Sequence, residues 1–298
     1  MIIFTGLSAF PLTPLAADGS VDEKAFITLV QRLVAAGVDS ISPLGSTGSY
    51  AYLSREERAR VARLAVEHAA GVPVMVGIGA TRTREVLAVA EDAQAAGVSA
   101  VLLAPVSYQP LTEDDVLGLY EDVTRELSVP LAVYDNPGTT RFTFTDELYQ
   151  AVAALPQVAS IKIPGSSGLT SARVEELRKM LPGHLSLGVS GDGFGAAGLS
   201  AGCDAWYSSI GGTLPGPVVA ITRAVQSGDL AGAAAESARL QPLWDLFGKH
   251  RGALRVIGTI AEHLGLVSAP SLPRPIRGLS GADRAEVIAI VTRLGLTE

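Results

Sequence analysis

The sequence is poor in the residues that form disulfides and metal sites. Its 298 residues contain one cysteine, Cys203, so no disulfide can form within the chain. The four histidines are far apart, and none stands at the HxH or HxxxH spacing typical of metal ligands. We therefore expect a protein of a reducing compartment, the cytoplasm, that holds no metal.

Long apolar runs and excess positive charge are also missing. No run approaches the ~18 apolar residues of a membrane span. No Lys or Arg precedes Lys24, and Pro11 and Pro14 interrupt the first apolar run, so a secretory signal is not expected. With 30 acidic and 23 basic residues, the net charge of −7 does not attract nucleic acid or anionic membranes. We therefore expect neither nucleic acid nor a membrane surface as a partner.

The chain does contain a repeated junction between helix and strand. Ala-rich segments end at Gly37, Gly97 and Gly202, and a short apolar run follows each one. Glycine at this position favours the left-handed conformation that closes a helix. Gly71 ends a fourth unit in the same way, and Ser54 with Glu57 forms a predicted capping box at the start of another helix.

Eight short apolar runs indicate eight strands. They are continuous instead of alternating, which is typical of parallel strands buried on both faces. The predicted strands cover residues 2–7, 40–44, 74–77, 100–104, 131–134, 159–163, 185–189 and 205–208. Helical patterns between them cover residues 22–36, 54–70, 83–96, 112–127, 145–154, 171–180 and 215–227, and three more follow at 230–247, 253–264 and 281–294.

This order predicts an α/β protein with a (β/α)8 TIM barrel and a C-terminal helical extension. The barrel is expected over residues 1–228 and the extension over residues 229–298. A doubly wound sheet also alternates strands and helices, but eight evenly spaced units without a linker favour a closed barrel. Active sites of such barrels lie at the C-terminal ends of the strands.

Three strand ends carry chemically useful groups. Strand two is followed by a loop of small and hydroxyl residues, strand five ends at Tyr134, and strand six contains Lys162 between two isoleucines. The loop consists of Gly45, Ser46, Thr47 and Gly48. Its amides and hydroxyls suit a small carboxylate or phosphate, although such turns are also ordinary loop chemistry. Tyr134 is either a proton carrier or a core aromatic.

Lys162 differs from the other three lysines, which lie in charged, helix-like surroundings. Burial between Ile161 and Ile163 is expected to lower its pKa and leave a neutral amine that can attack a carbonyl. A lysine that reaches solvent or pairs with a carboxylate is the alternative.

A glycine pattern after strand seven matches the dinucleotide-binding fingerprint at Gly193, Gly195 and Gly198. It does not open a nucleotide-binding unit, and no Asp or Glu follows in residues 205–228 to hold a ribose. No nucleotide cofactor is expected.

Together these motifs resemble the dihydrodipicolinate synthase and N-acetylneuraminate lyase family of Schiff-base-forming class I aldolases. The similarity covers nearly the whole chain and includes the Gly45 loop, the segment from Tyr134 to Pro137, Lys162 and the Ser-Gly-Asp that ends at Asp192. It implies that Lys162 forms an imine with a 2-oxo acid such as pyruvate. It also implies that Ser46 and Thr47 hold the substrate carboxylate, that Tyr134 transfers protons, and that neither metal nor organic cofactor is needed.

Three positions depart from the synthases of this family. Ser107 stands where they carry a tyrosine that serves a neighbouring subunit, and Tyr108 is a possible substitute. Thr139 stands where they carry an arginine for the second substrate, and Arg141 is a possible replacement. Asp135 also replaces the usual Asn.

The leading interpretation is a metal-independent Schiff-base lyase, an aldolase or dehydratase, that acts on pyruvate or another small 2-oxo acid. One alternative is a true dihydrodipicolinate synthase, and another is a non-catalytic barrel that binds a metabolite. The resemblance implies a homo-oligomer, a dimer or tetramer, with Tyr108 at a subunit contact.

Overall fold

The computed structural model describes residues 3–296, in which eight strands form a barrel inside a layer of helices. The strands are β1 (Gly6–Ala9), β2 (Ser40–Ile41), β3 (Met75–Gly77), β4 (Ala100–Leu103), β5 (Leu131–Tyr134), β6 (Val158–Pro164), β7 (Ser186–Ser190) and β8 (Ala205–Ser208). The helices of the barrel are α1 (Glu23–Ala36), α2 (Arg55–His68), α3 (Thr83–Ala95), α4 (Glu113–Arg125), α5 (Pro137–Thr140), α6 (Asp146–Ala153), α7 (Ser171–Met180), α8 (Gly195–Ser200) and α9 (Pro215–Gln226). Four helices follow, α10 (Leu230–Arg239), α11 (Gln241–Lys249), α12 (Leu254–His263) and α13 (Gly281–Arg293).

All strand pairs are parallel, in the order β2-β1-β8-β7-β6-β5-β4-β3. A single parallel bridge between Ile41 and Val74 joins the two ends of this order. The predicted (β/α)8 barrel is confirmed. None of the helices within residues 3–296 is long and apolar enough to cross a membrane.

Successive strand residues contribute to two separate apolar clusters. In β5, Leu131 and Val133 pack in the large cluster between strands and helices, whereas Ala132 and Tyr134 belong to a smaller one. Because side chains alternate across a strand, the smaller cluster fills the interior of the barrel. Small residues such as Ala132 leave room there for a few large side chains.

The predicted helix ends and caps are present. Gly37, Gly97 and Gly202 take positive φ angles of 72°, 82° and 106°. Ser54 accepts a hydrogen bond from the amide of Glu57, whose side chain accepts one from the amide of Ser54. Local sequence therefore determines where many of the units begin and end.

The first strand was predicted wrongly. Ile2 lies outside the described residues, and residues 3–5 form a turn, so β1 starts at Gly6 instead of within the apolar run. Ile3 and Phe4 instead close the bottom of the barrel interior, where the Ser186 hydroxyl donates to the Phe4 carbonyl. Hydrophobic burial without strand pairing explains the apolar run.

The helix predicted over residues 230–247 is two helices. The first ends at Arg239, Leu240 caps it, and the second begins at Gln241. Pro242 lies in the first turn of α11, where its missing amide proton costs nothing, although it would break a continuous helix. The turn between α11 and α12, at Arg251 and Gly252, has positive φ angles at both residues.

A close approach of Gly188 to Tyr207 yields a stability prediction. A Cβ at Gly188 would lie 2.1 Å from a ring carbon of Tyr207, a fully buried residue that shares a 2.7 Å hydrogen bond with Ser160. We expect Gly188→Ala to lower the free energy of unfolding by about 1–3 kcal/mol because the ring must move. Urea unfolding measures this effect.

Gly118→Ala in α4 is the matched control, since a Cβ there meets no atom within 4 Å. This substitution is expected to stabilise the protein by about 0.5–1 kcal/mol through helix propensity. Equal unfolding midpoints for Gly188→Ala and the unmodified protein would contradict the packing argument.

Candidate active site

Lys162 lies inside the barrel in a cage of aromatic rings. It pairs in register with Tyr134 on β5 and with Gly188 on β7, and it is only 4% exposed. Its Nζ atom lies 3.8 Å from the ring centroid of Tyr134, 4.0 Å from that of Phe10 and 5.5 Å from that of Tyr207. The expected burial of this lysine is therefore present.

Burial lowers the pKa of Lys162 from 10.5 to about 7, because the charged amine loses its hydration. The negative charge of Asp192 acts in the opposite direction. At neutral pH a large fraction of the amine is therefore unprotonated and nucleophilic.

Asp192 is buried in the turn that follows β7 and is held by three donors. Its carboxylate accepts from the Ser208 hydroxyl at 2.7 Å and from the amides of Ser209 at 3.1 Å and Ile210 at 3.0 Å. Burial nevertheless raises the pKa of Asp192 to about 6, and these hydrogen bonds and Lys162 oppose the rise. The carboxylate whose charge acts on Lys162 is thus held in place by residues at and just after the end of β8.

The hydroxyl loop after β2 contributes to the same pocket. Ser46 and Thr47 line it, together with Tyr134 and Asn136. The side-chain amide of Asn136 donates to the Ser46 hydroxyl at 3.5 Å. Burial raises the pKa of Tyr134, while hydrogen bonds with Ser46 and Asn136 oppose that rise, so the phenol stays protonated at neutral pH.

Gly45 and Gly48 shape this loop without lining the pocket. A Cβ at Gly45 would lie 2.5 Å from the ring of Phe10, and one at Gly48 would lie 2.7 Å from the amide nitrogen of Leu44. Only glycine permits these approaches. The approach at Gly45 places the loop against the Phe10 ring that also contacts Lys162.

Of the four remaining predicted site residues, one lines the pocket and three do not. Thr139, in α5, lines the pocket. Arg141 ends that helix in the left-handed conformation with an exposed side chain, and neither Arg141, Ser107 nor Tyr108 lines the pocket. Tyr108 is 93% exposed, and Val106 reaches the pocket from the same loop.

Asp135 faces away from this pocket. The Tyr149 hydroxyl donates to its carboxylate at 2.5 Å, and burial raises the pKa of Asp135 to about 6. This contact ties the segment after β5 to α6, which supports the position of Asn136.

The pocket has a volume of about 590 Å³, within the range of small-molecule sites. Residues that the sequence reasoning did not single out also line it, among them Asn136, Phe194, Ser209, Arg251 and Arg255. Asn136 and Ser209 follow strand ends, so the rule used for Lys162 applies to them. Arg251 lies in the turn before α12 and Arg255 in the first turn of that helix, and no local pattern connects this segment to the barrel.

Comparison with known proteins agrees with this geometry. The model of the dihydrodipicolinate synthetase family matches residues 3–294. The chain belongs to the dihydrodipicolinate synthetase family. A 4-hydroxy-tetrahydrodipicolinate synthase from Phenylobacterium zucineum is 32% identical over 297 residues, which cover 99% of this chain and 98% of that protein.

Solved structures of the dihydrodipicolinate synthetase family have the same fold. The dihydrodipicolinate synthase of Agrobacterium tumefaciens superposes with a TM-score of 0.94 at 44% identity, over 98% of each chain. YagE, a prophage protein of Escherichia coli K12 in complex with pyruvate, gives a TM-score of 0.89 at 26% identity, over 98% of this chain and 99% of its own. The predicted family is confirmed.

The electrostatic link between Asp192 and Lys162 can be tested directly. Asp192→Asn removes the negative charge that favours the ammonium form but keeps an oxygen acceptor for the backbone amides. We expect the pKa of Lys162 to fall below its value of about 7. Acetic anhydride labelling of Lys162 across pH, with exposed Lys179 as internal reference, measures the change.

Circular dichroism serves as the folding control for this variant. A labelling midpoint for Lys162 that stays in place or rises in folded Asp192→Asn would rule out the assigned electrostatic role.

Proposed function

We propose that this protein is a metal-independent lyase that forms an imine between Lys162 and pyruvate or another small 2-oxo acid. Membership of the dihydrodipicolinate synthetase family supports an enzyme of the class I aldolase type, and the pyruvate complex of YagE supports the substrate class. The observation that carries the proposal is the aromatic, buried environment that lowers the pKa of Lys162 to about 7.

The proposed chemistry begins with attack of the neutral Nζ of Lys162 on the keto carbon. The resulting carbinolamine loses its hydroxyl as water, which requires a proton donor. Tyr134 fits this role because its ring contacts Nζ and burial keeps its phenol protonated. The iminium then withdraws electrons, so that a carbanion on the neighbouring carbon becomes an enamine and a bond to that carbon can form or break.

Ser46 and Thr47 are proposed to hold the carboxylate of the 2-oxo acid. Both line the pocket, and their hydroxyl groups are neutral donors. The hydrogen bond from Asn136 orients Ser46. Neutral donors add no positive charge beside Lys162.

The proposal requires neither metal nor organic cofactor, because the iminium supplies the electron sink. Among the described residues that line the pocket there is no His, Cys, Asp or Glu to bind a metal. One group of possible ligands elsewhere, His250, Asp283 and Glu286, does not line the pocket, and its Glu286 binds the ammonium of Lys249.

Dihydrodipicolinate synthesis is the second candidate function, favoured by the names of relatives such as the Phenylobacterium zucineum protein. The resemblance places a substrate-binding arginine of those synthases at the position of Thr139, which lines the pocket here. A neutral hydroxyl at this position favours a different second substrate.

Assembly as a homo-oligomer stays a prediction, as does the cytoplasmic location. The 93% exposure of Tyr108 supports the assembly, because an aromatic ring with a polar tip is favoured at protein interfaces.

Borohydride should trap pyruvate covalently on the protein, because reduction turns the imine into a stable secondary amine. Mass spectrometry of the intact chain measures the adduct, and peptide mapping is expected to place it on Lys162. Lys179→Ala is the matched control and should keep the adduct, whereas Lys162→Ala should lose it. An unchanged adduct in Lys162→Ala would refute the assigned nucleophile.

Tyr134→Phe should keep the trapped adduct but lower its rate of formation by roughly 10²- to 10⁴-fold, the usual effect of losing a general acid or base. The ring that packs against Lys162 is retained in this variant. The time course of trapping with pyruvate measures the rate. A rate equal to that of the unmodified protein would remove Tyr134 from the mechanism.

A further inference from the structure

The helical segment after the barrel contributes two cations to the pocket that holds Lys162. Arg251 lies in the turn between α11 and α12, and Arg255 lies in the first turn of α12. Both line the pocket together with Gly252 and Leu254. The pocket wall is therefore formed partly by the barrel and partly by this segment.

Neither guanidinium is neutralised by the described part of the chain. Within residues 3–296, Arg251 and Arg255 make no ion pair. Other partly buried arginines, such as Arg173 and Arg284, do pair with a carboxylate. The Nε of Arg255 donates to the carbonyl of Arg277 at 3.1 Å, which anchors the side chain without cancelling its charge.

The rest of the lining does not supply a counter-charge. No Asp or Glu within residues 3–296 lines the pocket, whose charged members are Lys162, Arg251 and Arg255. Asp192, the carboxylate that acts on Lys162, is fully engaged by Ser208 and two backbone amides. The pocket thus presents positive charge that suits an anionic ligand group.

The carboxylate of the 2-oxo acid does not account for these arginines. In the proposed function Ser46 and Thr47 hold that group beside Lys162, and a volume of about 590 Å³ leaves room beyond a three-carbon acid. Arg255 is partly buried and Arg251 is exposed, so the arginines lie toward the solvent side of a pocket whose base is the buried Lys162.

We propose that Arg251 and Arg255 bind a second anionic group of the substrate, a carboxylate or phosphate at the end remote from the imine. This inference rests on the proposed function and defines its substrate class as 2-oxo acids with a distal anionic group. A guanidinium binds either anion through paired hydrogen bonds.

Matched pairs of 2-oxo acids test this inference by borohydride trapping on the full-length protein. 2-Oxoglutarate and 2-oxoadipate carry the distal carboxylate, whereas 2-oxopentanoate and 2-oxohexanoate have the same chain lengths without it. We expect half-maximal trapping of at least one diacid at a roughly 10- to 100-fold lower concentration than its neutral partner, as for hydrogen bonds to charged groups. 2-Oxo-4-phosphonobutanoate shows whether a phosphate-type group is preferred to the carboxylate.

The variants Arg251→Met and Arg255→Met should abolish this preference and leave pyruvate trapping unchanged. Arg255→Lys should restore part of it, since the charge is kept but the paired geometry is lost. Arg293→Met is the matched control, because Arg293 is exposed on α13 and does not line the pocket. High salt should reduce the preference for the diacid.

Two different failures can be separated. If pyruvate gives no adduct on Lys162, the proposed function fails, and the inference that rests on it falls as well. If pyruvate is trapped but each diacid matches its neutral partner, or if Arg251→Met and Arg255→Met both keep the preference, only the anion-binding role of the arginines is overturned.

Discussion

A lysine held inside the barrel without a carboxylate in contact is the constraint on which the site depends. Within residues 3–296 Lys162 makes no ion pair, and its Nζ faces the rings of Tyr134 and Phe10. Cation–π attraction offsets part of the lost hydration, but the pKa still falls to about 7. In the unfolded chain this amine keeps its proton up to about pH 10.5. The free energy that burial of Lys162 costs in folding is therefore complete below about pH 7 and diminishes as the pH rises toward 10.5.

The surrounding barrel meets this constraint through small residues. Gly188 pairs with Lys162 in register and allows the ring of Tyr207 to approach, while Ala132 and Ala205 leave space in the interior. Large aliphatic side chains at these positions would fill the volume in which the proposed reaction of the amine with a substrate takes place. The barrel interior is therefore densely packed at its base, whereas small residues leave free volume near Lys162.

Local sequence signals predicted the barrel because many of its strand–helix units have their own helix-end and helix-start residues. Gly37 and Gly97 mark helix ends, and Lys162 stood out as a single charge inside an apolar strand. The start of β1 was missed because apolar residues at a barrel base need not pair as a strand. Arg251 and Arg255 were missed for another reason. They lie more than eighty residues after Lys162 in the sequence and reach the pocket only because the helical segment packs against the barrel.

Positive charge has opposite consequences in the two parts of this pocket. In the proposed mechanism Lys162 needs to lose a proton in order to attack, and burial lowers its pKa, whereas a guanidinium remains charged and serves only to bind. Burial separates these roles: Lys162 is 4% exposed, while Arg251 is exposed at the rim. An anionic substrate group bound at the arginines would bring a negative charge into the same pocket as Lys162. Since a negative charge favours the cationic iminium over the neutral amine, binding of such a substrate would stabilise the intermediate instead of the free amine.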